Sequence, residues 1–246
     1  MIPVFSCEHI VRNYENQAVI SDISLEIPEG GFISLLGPSG AGKTTLFNIL
    51  AGVDRPDSGK VFFAGGEITG VSGKVSYMLQ KDLLLEYRTV IDNVILPLLI
   101  KGVKKIPARG QAAPYFAQFG LTGCEKKYPR QLSGGMRQRA ALLRTCMSHN
   151  RVILLDEPFS ALDAITRRQM QDWYKNIAVS MGLSTLFITH DVDEALLLSD
   201  TVLILNGVPG RITHRIDIYP PRPRQNDFSV SPEFAAQKKK ILAAIG

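Results

Sequence analysis

The sequence predicts an α/β fold: a largely parallel β-sheet covered by helices on both faces, with an N-terminal strand-rich part and a helical subdomain set into it. Three observations predict it. Apolar runs of strand character, Phe32-Ile33-Ser34-Leu35-Leu36, Val152-Ile153-Leu154-Leu155, Ser184 to Thr189 and Thr201 to Leu205, are separated by segments of helical length. Uninterrupted apolar strands belong to sheets buried on both faces. A glycine-rich turn, Gly37 to Gly42, stands between the first run and a helix-forming stretch, and from Thr89 to about Asn150 the apolar spacing is helical throughout.

Taken in order, Val4 to His9 and Ser24 to Ile27 show partial alternation and read as strands. Pro28-Glu29-Gly30-Gly31, Arg55-Pro56-Asp57-Ser58-Gly59 and Ala64-Gly65-Gly66 are turns. Gly31 to Gly37 contains a buried strand, Lys43 to Gly52 a helix, and Val75 to Leu79 a further strand. Thr89 and Asp92 resemble a capping box ahead of Val90, Ile91, Val94, Ile95 and Leu98 at helical spacing. Gly102, Pro107 and Pro114 are expected to break this region into short helices. After the strand Val152 to Leu155 come a helix from about Leu162 to Met181, the strand to Thr189, a helix from Asp193 to Leu198 and the strand to Leu205. The tail after Asn206, with Pro220-Pro221-Arg222-Pro223-Arg224, is expected to be extended. The organisation is one domain over 4–228, its helical subdomain at about 88–150, and a tail over 229–246.

Composition bounds the function. The chain has 246 residues, 45% of them hydrophobic and 21% charged, as in an ordinary globular protein. The apolar run Val94 to Ile100 is too short to span a bilayer and contains Pro97. The N-terminal residues lack a basic region leading into an apolar one, so no secretory signal is expected. Cys7, Cys124 and Cys146 are far apart and outside any Cys-x-x-Cys spacing, which argues for reduced thiols rather than a disulfide frame or a zinc site. Net charge is +5, but between Arg88 and Asn150 eleven Lys/Arg face only Asp92 and Glu125. This basic segment suits a membrane-proximal face or, more simply, solvated helix surfaces.

Gly37-Pro38-Ser39-Gly40-Ala41-Gly42-Lys43-Thr44 satisfies G-x-x-x-x-G-K-[ST] after a strand and before a helix. Its backbone N–H groups can wrap phosphates, helped by the helix N-terminus. Lys43 supplies a point charge to the β- and γ-phosphates of a nucleoside triphosphate, and the Thr44 hydroxyl can ligate Mg²⁺. Thr45 continues the binding segment. Asp156 and Glu157 end an apolar strand, and ligands collect at the carboxyl ends of such strands. Asp156 is therefore read as the Mg²⁺ carboxylate, acting through water, and Glu157 as the group that orients and deprotonates the attacking water.

With Leu132-Ser133-Gly134-Gly135-Met136 and the following Arg137-Gln138-Arg139, the chain resembles the ATP-binding cassette (ABC) ATPases along nearly its whole length. The predicted fold is then a P-loop NTPase core with an antiparallel β subdomain and an inserted helical signature subdomain. Ser133, Gly134 and Gly135 open a helix, so their N–H groups and the Ser133 hydroxyl can bind phosphate. The resemblance implies that this phosphate belongs to ATP held by a second copy, two copies sandwiching the nucleotide. It also implies roles for other residues. Gln80 matches the glutamine that contacts Mg²⁺ and water and reports to the membrane subunit. Ser160-Ala161-Leu162-Asp163 matches the D-loop that crosses the dimer interface, Ser160 also being placed to cap the next helix. His190 matches the switch histidine near the γ-phosphate, and Tyr14 the aromatic residue that stacks on adenine.

Met136 in place of the commoner glutamine resembles an importer branch serving nitrate, sulfonate, taurine, bicarbonate and related solutes. So do Leu84-Leu85 with Arg88-Thr89-Val90-Ile91-Asp92-Asn93-Val94, and Pro209-Gly210-Arg211 ahead of Pro221-Arg222-Pro223-Arg224. Glu86-Tyr87 stands where that branch usually has Pro-Trp, Lys81-Asp82 follows Gln80 where an acid usually leads, and His149-Asn150 replaces a proline-containing turn. The resemblance implies ATP and Mg²⁺ as cofactors. It implies two transmembrane permease subunits and, indirectly, a solute-binding protein as partners, at the cytoplasmic face of the membrane. The alternative is a soluble ABC ATPase acting on nucleic acid or ribosomes. Such proteins usually carry two cassettes or a long coiled-coil insertion, and neither is present, so no nucleic acid is expected. A non-hydrolysing binding module is disfavoured by Glu157 and His190.

Overall fold

The computed structural model describes residues 3–15, 17–160, 162–224 and 227–245. In chain order the elements are β1 (Phe5–Tyr14), β2 (Gln17–Ile27), β3 (Phe32–Leu36), α1 (Lys43–Leu50), β4 (Ser58–Phe63), β5 (Gly66–Glu67) and β6 (Ser76–Met78). The helices α2 (Val90–Val94), α3 (Leu96–Ile100), α4 (Lys105–Gln118) and α5 (Gly134–Cys146) follow. They lead into β7 (Val152–Asp156), α6 (Ala164–Ser180), β8 (Ser184–Ile188), α7 (Val192–Leu198), β9 (Thr201–Asn206), β10 (Arg211–Asp217) and α8 (Pro232–Ile245).

Two sheets organise the chain. The first, in order β2-β1-β4-β5, is antiparallel. The second runs β10-β9-β3-β8-β7-β6, parallel except for β10, which pairs antiparallel with β9. Every residue of β3, β7 and β8 is buried, as a parallel sheet covered on both faces requires. Helix α1 lies between the sheets. Leu46, Phe47, Ile49 and Leu50 pack there with Ile20, Ile23 and Leu25 of β2 and with Leu35, Leu154 and Leu186 of the parallel sheet. Each such side chain contributes about 1.5–3 kcal/mol over its exposed state. On the opposite face α2 to α5 share a core with Phe32, Phe159, Tyr174 and Phe187. A third core joins α7, α8, β9 and β10.

Several expectations are corrected. Pro107 and Pro114 do not break the chain, because α4 runs unbroken over 14 residues. Pro107 lies in the first turn, where an N–H has no intrahelical partner anyway, and Pro114 forgoes a single bond. The segment Lys60-Val61-Phe62-Phe63, between two of the expected turns, is a strand that pairs with β1. The tail is not merely extended: it forms β10, then α8, whose Phe234 and Ile241 are buried. Four of the basic residues between Arg88 and Asn150 are held by partners within the fold. Lys105 and Arg109 pair with Asp92 at 2.9 and 2.7 Å, Lys101 donates to the Ser148 carbonyl, and Arg137 pairs with Asp82. No helix among the described residues is long and apolar enough to cross a membrane.

Candidate active site

At the carboxyl ends of β3, β7 and β8 the chain opens a cleft of about 800 Å³. The loop 37–42 forms its floor, and close packing dictates its glycines. A Cβ at Gly37 would lie 2.1 Å from the Leu205 carbonyl oxygen. Gly42, the N-cap of α1, has φ 91°, and a Cβ there would meet Ile20 at 2.4 Å. Only glycine tolerates both restrictions.

Gly37, Pro38, Ser39, Gly40, Gly42, Lys43, Thr44, Thr45, Gln80, Asp156, Glu157 and His190 all line the cleft. Lys43 Nζ donates to the carbonyls of Gly37 and Pro38, each at 2.8 Å, which holds the ammonium over the loop. Half-burial lowers its pKa, opposed by the nearby charges of Glu157 and Asp156. Thr44 Oγ1 donates to Asp156 Oδ2 at 3.4 Å. Burial, reinforced by the adjacent Glu157 carboxylate, pushes the Asp156 carboxyl up to about 6, against the opposing effects of Thr44 and Lys43. A desolvated carboxylate, a hydroxyl and the Gln80 amide form a hard oxygen donor set of the kind that suits Mg²⁺.

Glu157 follows the last residue of β7 with φ 46°, a left-handed conformation that costs a non-glycine residue about 1–3 kcal/mol. Its N–H donates to the Ile188 carbonyl, so the strained residue is pinned between β7 and β8. Gln80 Nε2 donates to Glu157 Oε2 at 3.0 Å, and His190 Nδ1 lies 3.3 Å from Oε1. Two side chains from separate strand ends thus aim one carboxylate into the cleft.

Other residues singled out in the sequence lie elsewhere. Ala41 is buried beneath the loop against Gly210 rather than lining the cleft. Tyr14 is not among the lining residues. It stands on the β1–β2 hairpin, its hydroxyl donating to Asp54 Oδ2 at 2.5 Å and its ring covered by the Arg12 guanidinium at 4.5 Å. Arg12 in turn pairs with Asp54 and Asp57, each at 3.0 Å. Leu132, Ser133, Gly134, Gly135 and Met136 lie outside this cleft. Ser133 is the N-cap of α5 and accepts from the Met136 N–H at 3.3 Å. Ser160 does not cap α6; its hydroxyl donates to the Glu157 carbonyl, while Asp163 caps the helix by accepting from Ile165 and Thr166. Ala161 lies outside the described residues. Val19, Leu36 and Ile245 also border the cleft, and the sequence reading missed them. Ile245 had no local signal, being brought there by α8.

The fold and cleft define a P-loop nucleotide hydrolase. The chain belongs to the ABC transporter family, whose sequence profile matches residues 20–160. It is 42% identical over 223 residues to the uncharacterized ABC transporter ATP-binding protein MJ0412 of Methanocaldococcus jannaschii, covering 91% of this chain and 82% of that one. To the taurine import ATP-binding protein TauB of Yersinia pestis it is 36% identical over 237 residues, 94% and 93% of the two chains. Among solved structures it resembles the dimeric, post-hydrolysis ATP-binding cassette MJ0796 bound to ADP and Pi. The TM-score is 0.77 and the identity 26%, over 87% of this chain and 98% of that one. The protein is an ATP-hydrolysing ABC transporter ATPase.

Proposed function

We propose that two copies of the chain sandwich ATP and use its hydrolysis to drive an importer for a small solute through two membrane-spanning permease subunits. A separate solute-binding protein would deliver the solute. The observation that carries the sandwich is the separation of two phosphate-binding features. The cleft holds Lys43, Thr44, Asp156, Glu157, Gln80 and His190, whereas the Ser133 helix start, with exposed Gly134, lies outside it, which supports a role on a nucleotide held by a second copy. That the similar cassette MJ0796 is a dimer with ADP and Pi bound supports an assembly of two copies.

In this reading the loop N–H groups and Lys43 bind the β- and γ-phosphates, and Tyr14 stacks on adenine. Thr44, Gln80 and Asp156 would hold Mg²⁺, which when bound supplies positive charge to the phosphate oxygens. Glu157 orients water and takes its proton. Gln80 and His190 fix the direction of that carboxylate, and Ser133 with Gly134 and Gly135 completes the partner's phosphate cage. Asp163 and Ser160 hold the segment that meets the partner.

The importer assignment is supported by the taurine importer subunit among its relatives and by exposed apolar residues on and next to the helical subdomain. Tyr87, Ile100 and Ile106 are each at least 75% exposed, apolar surface that a permease contact would cover. Affinity purification from membranes tests it. Recovery of a polytopic membrane protein is expected, and recovery of nucleic acid or ribosomes instead would contradict it.

A further inference from the structure

Behind Glu157 lies a narrow recess bordered by Ser160, Arg167, Thr189, His190, Asp191 and Glu194. Four of these, Arg167, Thr189, Asp191 and Glu194, have no part in the chemistry described above. Glu194, in the first turn of α7, is buried with both oxygens occupied: Oε1 accepts from Gln171 Nε2 at 2.8 Å and Oε2 from the Thr189 hydroxyl. The Thr189 oxygen in turn accepts from the Asp191 N–H at 3.0 Å. Both residues flanking His190 are therefore tied through Glu194 to α6.

Arg167 stands four residues before Gln171 on the same face of α6. Its Nη2 donates to the Leu162 carbonyl at 2.9 Å, and its Nη1 lies 3.6 Å from Asp191 Oδ2. The other Asp191 oxygen caps α7 by accepting from Asp193 and Glu194. Leu162 also adjoins the Ser133 segment, since a Cβ at Gly135 would lie 3.3 Å from Leu162 Cδ2.

We propose that Arg167, Gln171 and Glu194 are positioning residues that tie the His190 loop to Leu162, so that the placement of this D-loop residue sets the His190 ring against Glu157. A second copy engaging the D-loop would thereby adjust the geometry of the neighbouring catalytic carboxylate. The side chains are suited to this: a buried carboxylate with both acceptors filled holds its partners at fixed angles, and the guanidinium fork spans a carbonyl and a carboxylate at once. The inference rests on the reading of Glu157 as base and His190 as its partner.

The test compares Arg167→Ala, Glu194→Ala and the conservative Glu194→Gln in the preparation in which the wild-type chain releases phosphate. Thermal unfolding confirms that each variant is folded. Arg167→Ala and Glu194→Ala are expected to lower kcat by about tenfold to a hundredfold with KM for ATP within about twofold. Glu194→Gln, which keeps a hydrogen-bonding group, should recover most of the rate. In protein carrying ¹³C-labelled histidine, the His190 ring signal, assigned by its loss in His190→Ala, should move in both alanine variants. If Glu194→Ala does not fold, Arg167→Ala and Gln171→Leu decide the matter. Folded variants with kcat within about twofold of wild type would overturn the proposal, as would a fall in kcat with the His190 signal unmoved. A His190→Ala chain that hydrolyses ATP normally would instead overturn the underlying reading of the site.

Discussion

His190 Nδ1 lies 3.3 Å from Glu157 Oε1, while the other oxygen of that carboxylate accepts from Gln80 at 3.0 Å. A carboxylate so aimed, on a strained backbone beside the phosphate loop, is placed to take a proton from water. Glu157→Gln keeps the shape and loses the basicity. Phosphate release should fall by about 10²–10⁴-fold while ATP binding, measured at equilibrium, is retained.

Lys43 spends its hydrogen bonds on the Gly37 and Pro38 carbonyls, which places its charge at the mouth of the loop. Lys43→Ala should abolish measurable ATP binding or turnover in an isothermal titration and a phosphate assay. Near-normal hydrolysis would remove the loop from the mechanism.

Burial, with the charge of Glu157, pushes the Asp156 carboxyl up to about 6, above its ordinary value of 3.8. A raised carboxyl pKa means that the folded state resists ionisation. Stability is therefore lost as pH rises from about 4 to about 6 and stays lost above, at about 1.4 kcal/mol per pKa unit. Asp156→Asn removes this dependence and keeps an acceptor for Thr44. At pH 8 without nucleotide the variant should unfold several degrees higher than wild type, a gain of order 2–3 kcal/mol that disappears near pH 4. It should also lose Mg²⁺-dependent hydrolysis. Equal melting temperatures at pH 8 would contradict the burial argument.

Tyr14 is fixed from one side by Arg12 and Asp54. Tyr14→Ala should weaken ATP binding by about five- to thirtyfold, the stacking contribution of one base. Tyr14→Phe, which keeps the ring, should change it by less than about threefold. An unchanged dissociation constant in Tyr14→Ala would move adenine elsewhere.

Much of this site was legible in the sequence because its parts sit where regular structure changes. Lys43 and Thr44 follow β3, Asp156 ends β7 with Glu157 next to it, and His190 follows β8, each flagged by an apolar run that stops at a polar residue. The missed parts lacked that contrast. β10 is exposed along most of its length, so no apolar alternation marks it. Helix α8 did carry a readable start, for Ser231 accepts from the Phe234 N–H and Pro232 occupies the first helical position. Its Lys238-Lys239-Lys240 run masked the apolar face. The supports of Tyr14 and His190 join residues more than twenty positions apart, Arg12 to Asp54 and Gln171 to Glu194, and no local spacing encodes such pairs.

Ser133 is proposed to act on a nucleotide held by a second copy. Sedimentation of the Glu157→Gln chain with and without Mg²⁺ and ATP tests it most directly. A monomer without nucleotide that becomes a dimer with ATP, and remains monomeric when Ser133→Arg is added, is the expected result. A Glu157→Gln chain that binds ATP and stays monomeric would contradict the account.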